Sequence, residues 1–314
     1  MCRGIGLSVL AVFMILIAPH ALAAEPFRAV ISTEVDETLD SSGFMDRQVL
    51  QLWPPDFTWS GSLANDLVFD PGDVFGVETG LDAYHYMGGL HYFSTEVDVL
   101  DGGRLVFEDE DLLAYDPSTG GVTEVFDVKN VLGADYGLDA ASYFWIEEES
   151  IYGLLFSTEV GGSITGGPSF TDGDVLIYSP WKADIEVFGL EEYFGRNVGL
   201  DAIHVMIEED PTGGQNEFMT LLMSTEVDGQ LLGGDPQFLD GTIHFKDEDI
   251  LALNFAGSIF QNAELVWNGV DSMGLGRDVG LDALYVDAAV PEPGTMLLAG
   301  FGLAMLLGKL RKKK

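Results

Sequence analysis

Cysteine is almost absent from this 314-residue chain: Cys2 is the only one, and it lies ahead of the first apolar run. A lipoprotein signal would need it after that run, and loss of the leader leaves a mature chain without a thiol. Disulfides, thiolate metal sites and cysteine nucleophiles are thereby excluded together. Positive charge is nearly as scarce. Between Glu25 and Glu292 stand 52 acidic residues against eight basic ones (Arg28, Arg47, Arg104, Lys129, Lys182, Arg196, Lys246 and Arg277), a formal charge of −44. Such a balance argues against nucleic acid or an anionic membrane surface as partner and leaves divalent cations as the natural counter-charge. Also missing from the body are a convincing helical period, a phosphate-cradling glycine loop followed by lysine, and the spacing of an EF-hand loop. The acidity does not signal disorder, because the body is rich in Val, Leu, Ile, Phe and Tyr and long enough for a substantial core.

Both ends of the chain read as addresses. Arg3 precedes an apolar run from Ile5 to Ala18, and Ala21-Leu22-Ala23-Ala24 offers small residues for cleavage. Residues 1–24 therefore read as a secretory signal peptide and are set aside from the fold. At the other end, Pro291-Glu292-Pro293 leads into an apolar run, and Lys309-Leu310-Arg311-Lys312-Lys313-Lys314 follows it. The run from Gly294 to Gly308 has 15 residues, about 22 Å as a helix against about 30 Å of hydrocarbon. The basic cluster would hold its end at the cytoplasmic face.

This three-part tail, residues 291–314, resembles the PEP-CTERM sorting signal of exported Gram-negative bacterial proteins. The resemblance implies an exosortase-type enzyme that recognises Pro291, Glu292 and Pro293 and cuts near them. It implies export across the inner membrane and transient anchoring there by a short transmembrane segment. After processing, the body would reside at the cell surface or outside the cell, with extracellular polysaccharide as a candidate partner.

Between the two addresses, residues 25–290 are built from repeats. Ser-Thr-Glu-Val starts at Ser32, Ser94, Ser157 and Ser224, at intervals of 62, 63 and 67 residues. Gly-Leu-Asp-Ala starts at Gly80, Gly137, Gly199 and Gly280. Third elements are Asp46 to Leu50, Asp109 to Leu113, Asp172 to Leu176 and Asp247 to Leu251; fourth elements end in Phe69, Phe126, Phe188 and Trp267. Gly76, Gly133, Gly195 and Gly276 each stand four residues before the next Gly-Leu-Asp-Ala. Each element is short, β-branched or aromatic, and bounded by Gly, Asp or Pro, so each reads as a strand. In such a strand Phe156, Thr158 and Val160 share one face, and Ser157 and Glu159 the other.

The fold class expected is all-β: a four-bladed β-propeller made of four-stranded repeats of about 62 residues. The body opens on a strand from Arg28 to Val35 and stops on one from Leu281 to Asp287, whose pairing would close the ring and remove its edges. The alternatives are other repeat-built β architectures, a solenoid or a sandwich pair, although no atypical capping repeat is evident.

The pairs Asp82-Ala83, Asp139-Ala140, Asp201-Ala202 and Asp282-Ala283 resemble the Asp-Ala pair that opens the inner strand in the hemopexin-like propeller. The resemblance implies that these four positions ring a central channel that holds ions. Asp82, Asp139, Asp201 and Asp282 are accordingly the candidate metal ligands, with Ca²⁺ the candidate ion because it accepts six to eight oxygens of mixed kind; the competing reading is carboxylates bonded to nearby backbone N–H groups. Glu34, Glu96, Glu159 and Glu226 sit mid-element in apolar surroundings, so each must be solvated, satisfied by backbone donors or paired with a cation. The acidic boxes read as exposed turns. His85 and His204 hold equivalent places three residues beyond their aspartates, which marks a strand position rather than a catalyst. With every distinctive polar residue repeated fourfold, the function expected is non-catalytic: an acidic structural or binding module at the cell surface. The alternative is a secreted carbohydrate-active enzyme on the same scaffold, for which nothing selects a carboxylate pair.

Overall fold

The computed structural model describes residues 28–33, 37–39, 42–45, 47–52, 67–146, 151–180, 182–208, 218–232, 242–256, 259–268 and 280–287. The chain divides into two compact units, residues 28–286 and, separately, residues 1–27 with 287–314. The leader, Pro291, Glu292, Pro293 and the apolar tail lie outside the described residues, as do Glu34, Asp46 and Gly276. Among the described residues no helix is long and apolar enough to cross a membrane.

Four small four-stranded sheets make a four-bladed β-propeller. Blade I orders its strands Ala283–Asp287, Arg28–Ser32, Val49–Leu52 and Leu67–Phe69, so the last strand of the body lies beside the first. Blade II runs Tyr84–Met87, Leu90–Phe93, Asp111–Asp116, Gly121–Asp127. Blade III runs Ala141–Ile146, Ile151–Phe156, Val175–Ser179, Asp184–Phe188. Blade IV runs Ala202–Glu208, Phe218–Ser224, Asp249–Ala256, Ile259–Asn268. Between the second and third strands of every blade a two-stranded hairpin projects, such as Val99–Asp101 with Arg104–Phe107.

The strands have apolar residues on both faces because each blade is covered on both sides. In blade IV, Leu221 and Met223 pack against blade III, whereas Leu222 between them packs against blade I. Blade III divides likewise, with Leu155 towards blade IV and Leu154 and Phe156 towards blade II. The fourth apolar cluster joins Val30 and Val49 of blade I to Phe93 and Leu113 of blade II. Every junction between neighbouring blades thus has its own core.

Two local expectations are corrected. The strand expected to run through Ser-Thr-Glu-Val stops at its start: Ile151–Phe156 ends before Ser157, and Arg28–Ser32 does not reach Val35. The reason is a competing side-chain bond, since the Thr95, Thr158 and Thr225 hydroxyls donate to the carbonyls of Val97, Val160 and Val227 and turn the chain. Second, short helices are present although the sequence shows no convincing helical period. One-turn helices Pro71–Phe75, Val128–Leu132 and Glu191–Phe194 follow the outer strands. Asp70 and Asp127 cap the first two, and Gly76, Gly133 and Gly195 end all three at φ of 73, 90 and 70°. Helices of four or five residues are too short to show a period.

The two four-residue motifs meet where the blades meet. Within blade III, the Asp139 N–H donates to the Ser157 carbonyl and the Ser157 N–H to the Ala140 carbonyl, which lays Ser-Thr-Glu-Val alongside Gly-Leu-Asp-Ala. The buried serine then reaches the next blade: Ser94 Oγ donates to the Leu138 carbonyl (3.3 Å), Ser157 Oγ to Leu200 (3.3 Å) and Ser224 Oγ to Leu281 (2.8 Å). The glutamate folds back over the glycine of its own blade. Gly80, Gly137 and Gly199 have φ of 65 to 66°, and a Cβ at each would overlap the carboxyl group of Glu96, Glu159 or Glu226. Glycine is required there twice over, by backbone and by space.

Gly137→Ala is expected to lower stability by about 1–2 kcal/mol from the left-handed backbone alone and further from the overlap with Glu159. Adding Glu159→Ala should recover the second part, so that urea midpoints show the double variant less destabilised than the two single losses combined. Strict additivity would mean that Glu159 does not sit over Gly137.

Candidate functional site

The aspartates of Gly-Leu-Asp-Ala stand just ahead of the four inner strands. Asp82, Asp201 and Asp282 are buried, and Asp139 retains only partial exposure. The Oδ2 atoms of Asp82 and Asp139 are sealed from solvent and meet no hydrogen-bond donor. The neighbouring blade adds a glutamate: Asp139, Asp201 and Glu226 each place an oxygen within 4.8 Å of the others, the spacing of a set able to share one cation. Burial, reinforced by Glu96, Glu159, Asp109 and Asp201, pushes the Asp82 carboxyl well above the usual carboxylate range. Burial, with Asp82 and Glu226 next, does the same to Asp139. A sealed carboxyl oxygen without a donor, as in Asp82 and Asp139, is cheap only when protonated or cation-bound.

The acidic boxes are turns, as expected, but they are not exposed. Glu110 and Glu248 are each only 1% exposed, and Asp111, Asp174 and Asp249 are buried too. The third box residue staples its own turn, Asp111 accepting from the Glu108 N–H (2.9 Å), Asp174 from Thr171 (2.8 Å) and Asp249 from Lys246 (3.0 Å). The first two box positions face the next blade, and each junction settles its charge differently. At the I–II junction Arg47 pairs with Asp70 (2.9 Å) and Glu78 (2.7 Å). At III–IV the Asn197 amide donates to Asp172. At II–III the equivalents are all acidic, Asp109, Glu110 and Asp135, with oxygens within 4.8 Å of one another. Lys129 reaches in at 3.1 Å from Glu110, and burial still pushes that carboxyl up, to about 8.

His85 and His204 are strand positions, as expected, in Tyr84–Met87 and Ala202–Glu208. The structure brings them together at the axis with Ser142 and Tyr285, their equivalents in the other two blades. Ring centroids of the two imidazoles are 5.8 Å apart. Burial holds His85 down to about 3, with His204 adding to the effect, and holds His204 down to about 4. The signal available in the sequence was positional: all four residues lie three places beyond a repeat aspartate.

Residues 289–313 match the PEP-CTERM protein-sorting motif, which marks the chain for export and C-terminal sorting to the surface by an exosortase-type enzyme. No curated protein matches the chain. Among solved structures, an extracellular domain from B. thetaiotaomicron assigned to a one component system shares 10% identity at a TM-score of 0.29, covering 79% of this chain and 32% of that one. The exo-beta-1,3-galactanase of Phanerochaete chrysosporium, solved with beta-1,3-galactotriose, shares 8% identity at a TM-score of 0.28, covering 60% of this chain and 50% of that one. This chain therefore spans a third to a half of their lengths, and likenesses so loose carry no argument about activity.

The axial carboxyls give the fold a pH dependence of definite sign. In the native state Asp82 and Asp139 are raised above the unfolded value, about 3.9. Their contribution is therefore full below that value and is lost as pH rises through the native ones. Glu110, at about 8, acts in the same sense. His85 and His204 act oppositely, but only below their unfolded value of about 6.5. As pH rises above about 3.9, cation-free Asp82→Asn with Asp139→Asn is expected to lose less stability than the unaltered protein, the histidine contribution being common to both. Urea midpoints of the two proteins that stay parallel from pH 4 upward would refute the assignment.

Proposed function

We propose that this protein works outside the cell as a non-catalytic structural or binding module, an acidic propeller delivered by exosortase-type sorting and stabilised by Ca²⁺ at the ring of Asp82, Asp139, Asp201 and Asp282. One observation carries the reading: Asp82 and Asp139 have sealed, donor-free carboxyl oxygens, and Asp139 shares with Asp201 and Glu226 the spacing of a set able to hold one cation. Two carboxylates at 4 Å repel by about 4 kcal/mol at an effective dielectric near 20. A divalent ion between them reverses the sign, and Ca²⁺ suits a site of carboxylates mixed with carbonyls. Outside the cell such a module would meet polysaccharide, the partner class its address brings it to.

Two experiments test the parts separately. In a sorting-competent host, replacing Pro291, Glu292 and Pro293 with alanine should hold the protein in the inner membrane with its tail intact; release with the normal C-terminus would remove the sorting assignment. For the ring, chelator-stripped protein should melt lower, and millimolar Ca²⁺ should restore it where NaCl of equal ionic strength does not. Saturation a hundredfold above the dissociation constant stabilises by about 2.7 kcal/mol, and asparagine at the four positions should blunt the response. Equal shifts from Ca²⁺ and NaCl would reduce the effect to screening. Release of reducing ends from surface polysaccharide by the purified protein would instead favour a carbohydrate-active enzyme.

A further inference from the structure

Three residues beyond each ring aspartate, the inner strands bring a second set of side chains to the axis: His85, Ser142, His204 and Tyr285. His85 and His204 come from blades II and IV, which are not neighbours and share no sheet. Their imidazole centroids are 5.8 Å apart, and the Tyr285 ring lies edge-on to both at 5.0 and 5.1 Å. Ser142 Oγ lies 3.5 Å from His204 Nδ1. The Nδ1 atom of His85 is buried and meets no protein partner. We propose that His85 and His204 are the nitrogen ligands of a transition-metal site of the Zn²⁺ or Cu²⁺ class on the propeller axis, with the Ser142 hydroxyl and the Tyr285 ring beside it.

Three observations support the assignment besides the sealed nitrogen. The separation fits: each ligating nitrogen stands about 2.0–2.1 Å from such a metal, and adding the ring radius on both sides leaves the centroids a little under about 6.5 Å apart at most. The protonation state fits, since burial keeps both imidazoles neutral and the neutral ring is the ligating form. The outer contacts fit too. His204 is hydrogen-bonded to the backbone of Val286, and a ligating histidine characteristically uses its other nitrogen in this way. Imidazole nitrogen distinguishes this set from the aspartate ring, because it favours Zn²⁺ and Cu²⁺ where carboxylates and carbonyls favour Ca²⁺. The proposal does not rest on Ca²⁺ occupying the ring.

The test uses the full-length chain, stripped with chelator, held in excess Ca²⁺ to occupy carboxylates and given one equivalent of Cu²⁺. The electron paramagnetic resonance spectrum is expected to show nitrogen hyperfine structure from two imidazoles. H85Q and H204Q should each reduce it to one nitrogen with at least tenfold weaker binding, and the double variant should lose it, while the Ca²⁺ response of the melting temperature stays unchanged. A spectrum with oxygen ligands only in the unaltered chain overturns the proposal whatever the variants do. So does a two-nitrogen spectrum that survives in the double variant.

Discussion

The fold depends on one repeated contact, the buried serine hydroxyl that donates to the leucine carbonyl opening the next blade. Ser94, Ser157 and Ser224 each make it, and all three are fully enclosed. A hydrogen bond in such a place contributes about 1 kcal/mol net, whereas leaving the carbonyl unmet costs about 1–3 kcal/mol. The bond therefore fixes how blades meet more than it adds to stability. Around it the threonine turns the chain out, the glutamate folds over its own glycine, and the leucine enters the core.

That geometry explains why so acidic a body can pack at all. Apolar clusters fill all four junctions, and the carboxylates are pushed to the surface, into turns where backbone N–H groups receive them, or to the axis. Two of the basic residues stand where a junction would otherwise bring acids together. Arg47 answers Asp70 and Glu78, and Lys129 answers Glu108 and Glu110. At Asp82 and Asp139 one carboxyl oxygen is sealed and meets no donor.

Much of this was legible in the sequence, for a physical reason. A repeat must satisfy the same neighbour relations each time, so residues that meet at blade junctions recur, and Ser-Thr-Glu-Val and Gly-Leu-Asp-Ala announced the fourfold plan. The glutamates were a puzzle in one dimension because their seat is a space above a glycine, visible only once two motifs lie side by side. His85 and His204 are the strand positions their equivalent places indicated; because Ser142 and Tyr285 differ from them in type, the meeting of all four at one axis shows only in the fold. The boxes read as exposed turns because Asp and Glu usually are; the apolar junction beside Glu110 and Glu248 overrides that habit.

Blade I is assembled from the two ends of the body, its strand Arg28–Ser32 lying between Ala283–Asp287 and Val49–Leu52. An exported chain emerges amino end first, so the earliest strand to appear waits for the latest before its sheet is whole. Pairing across so long a stretch of chain is slow, because the loop entropy must be met before any contact rewards it. Completion of that sheet is therefore timed by the arrival of the segment just ahead of the sorting signal. Folding and delivery share a clock: the blade that needs the last strand can finish only as the sorting motif of residues 289–313 itself arrives.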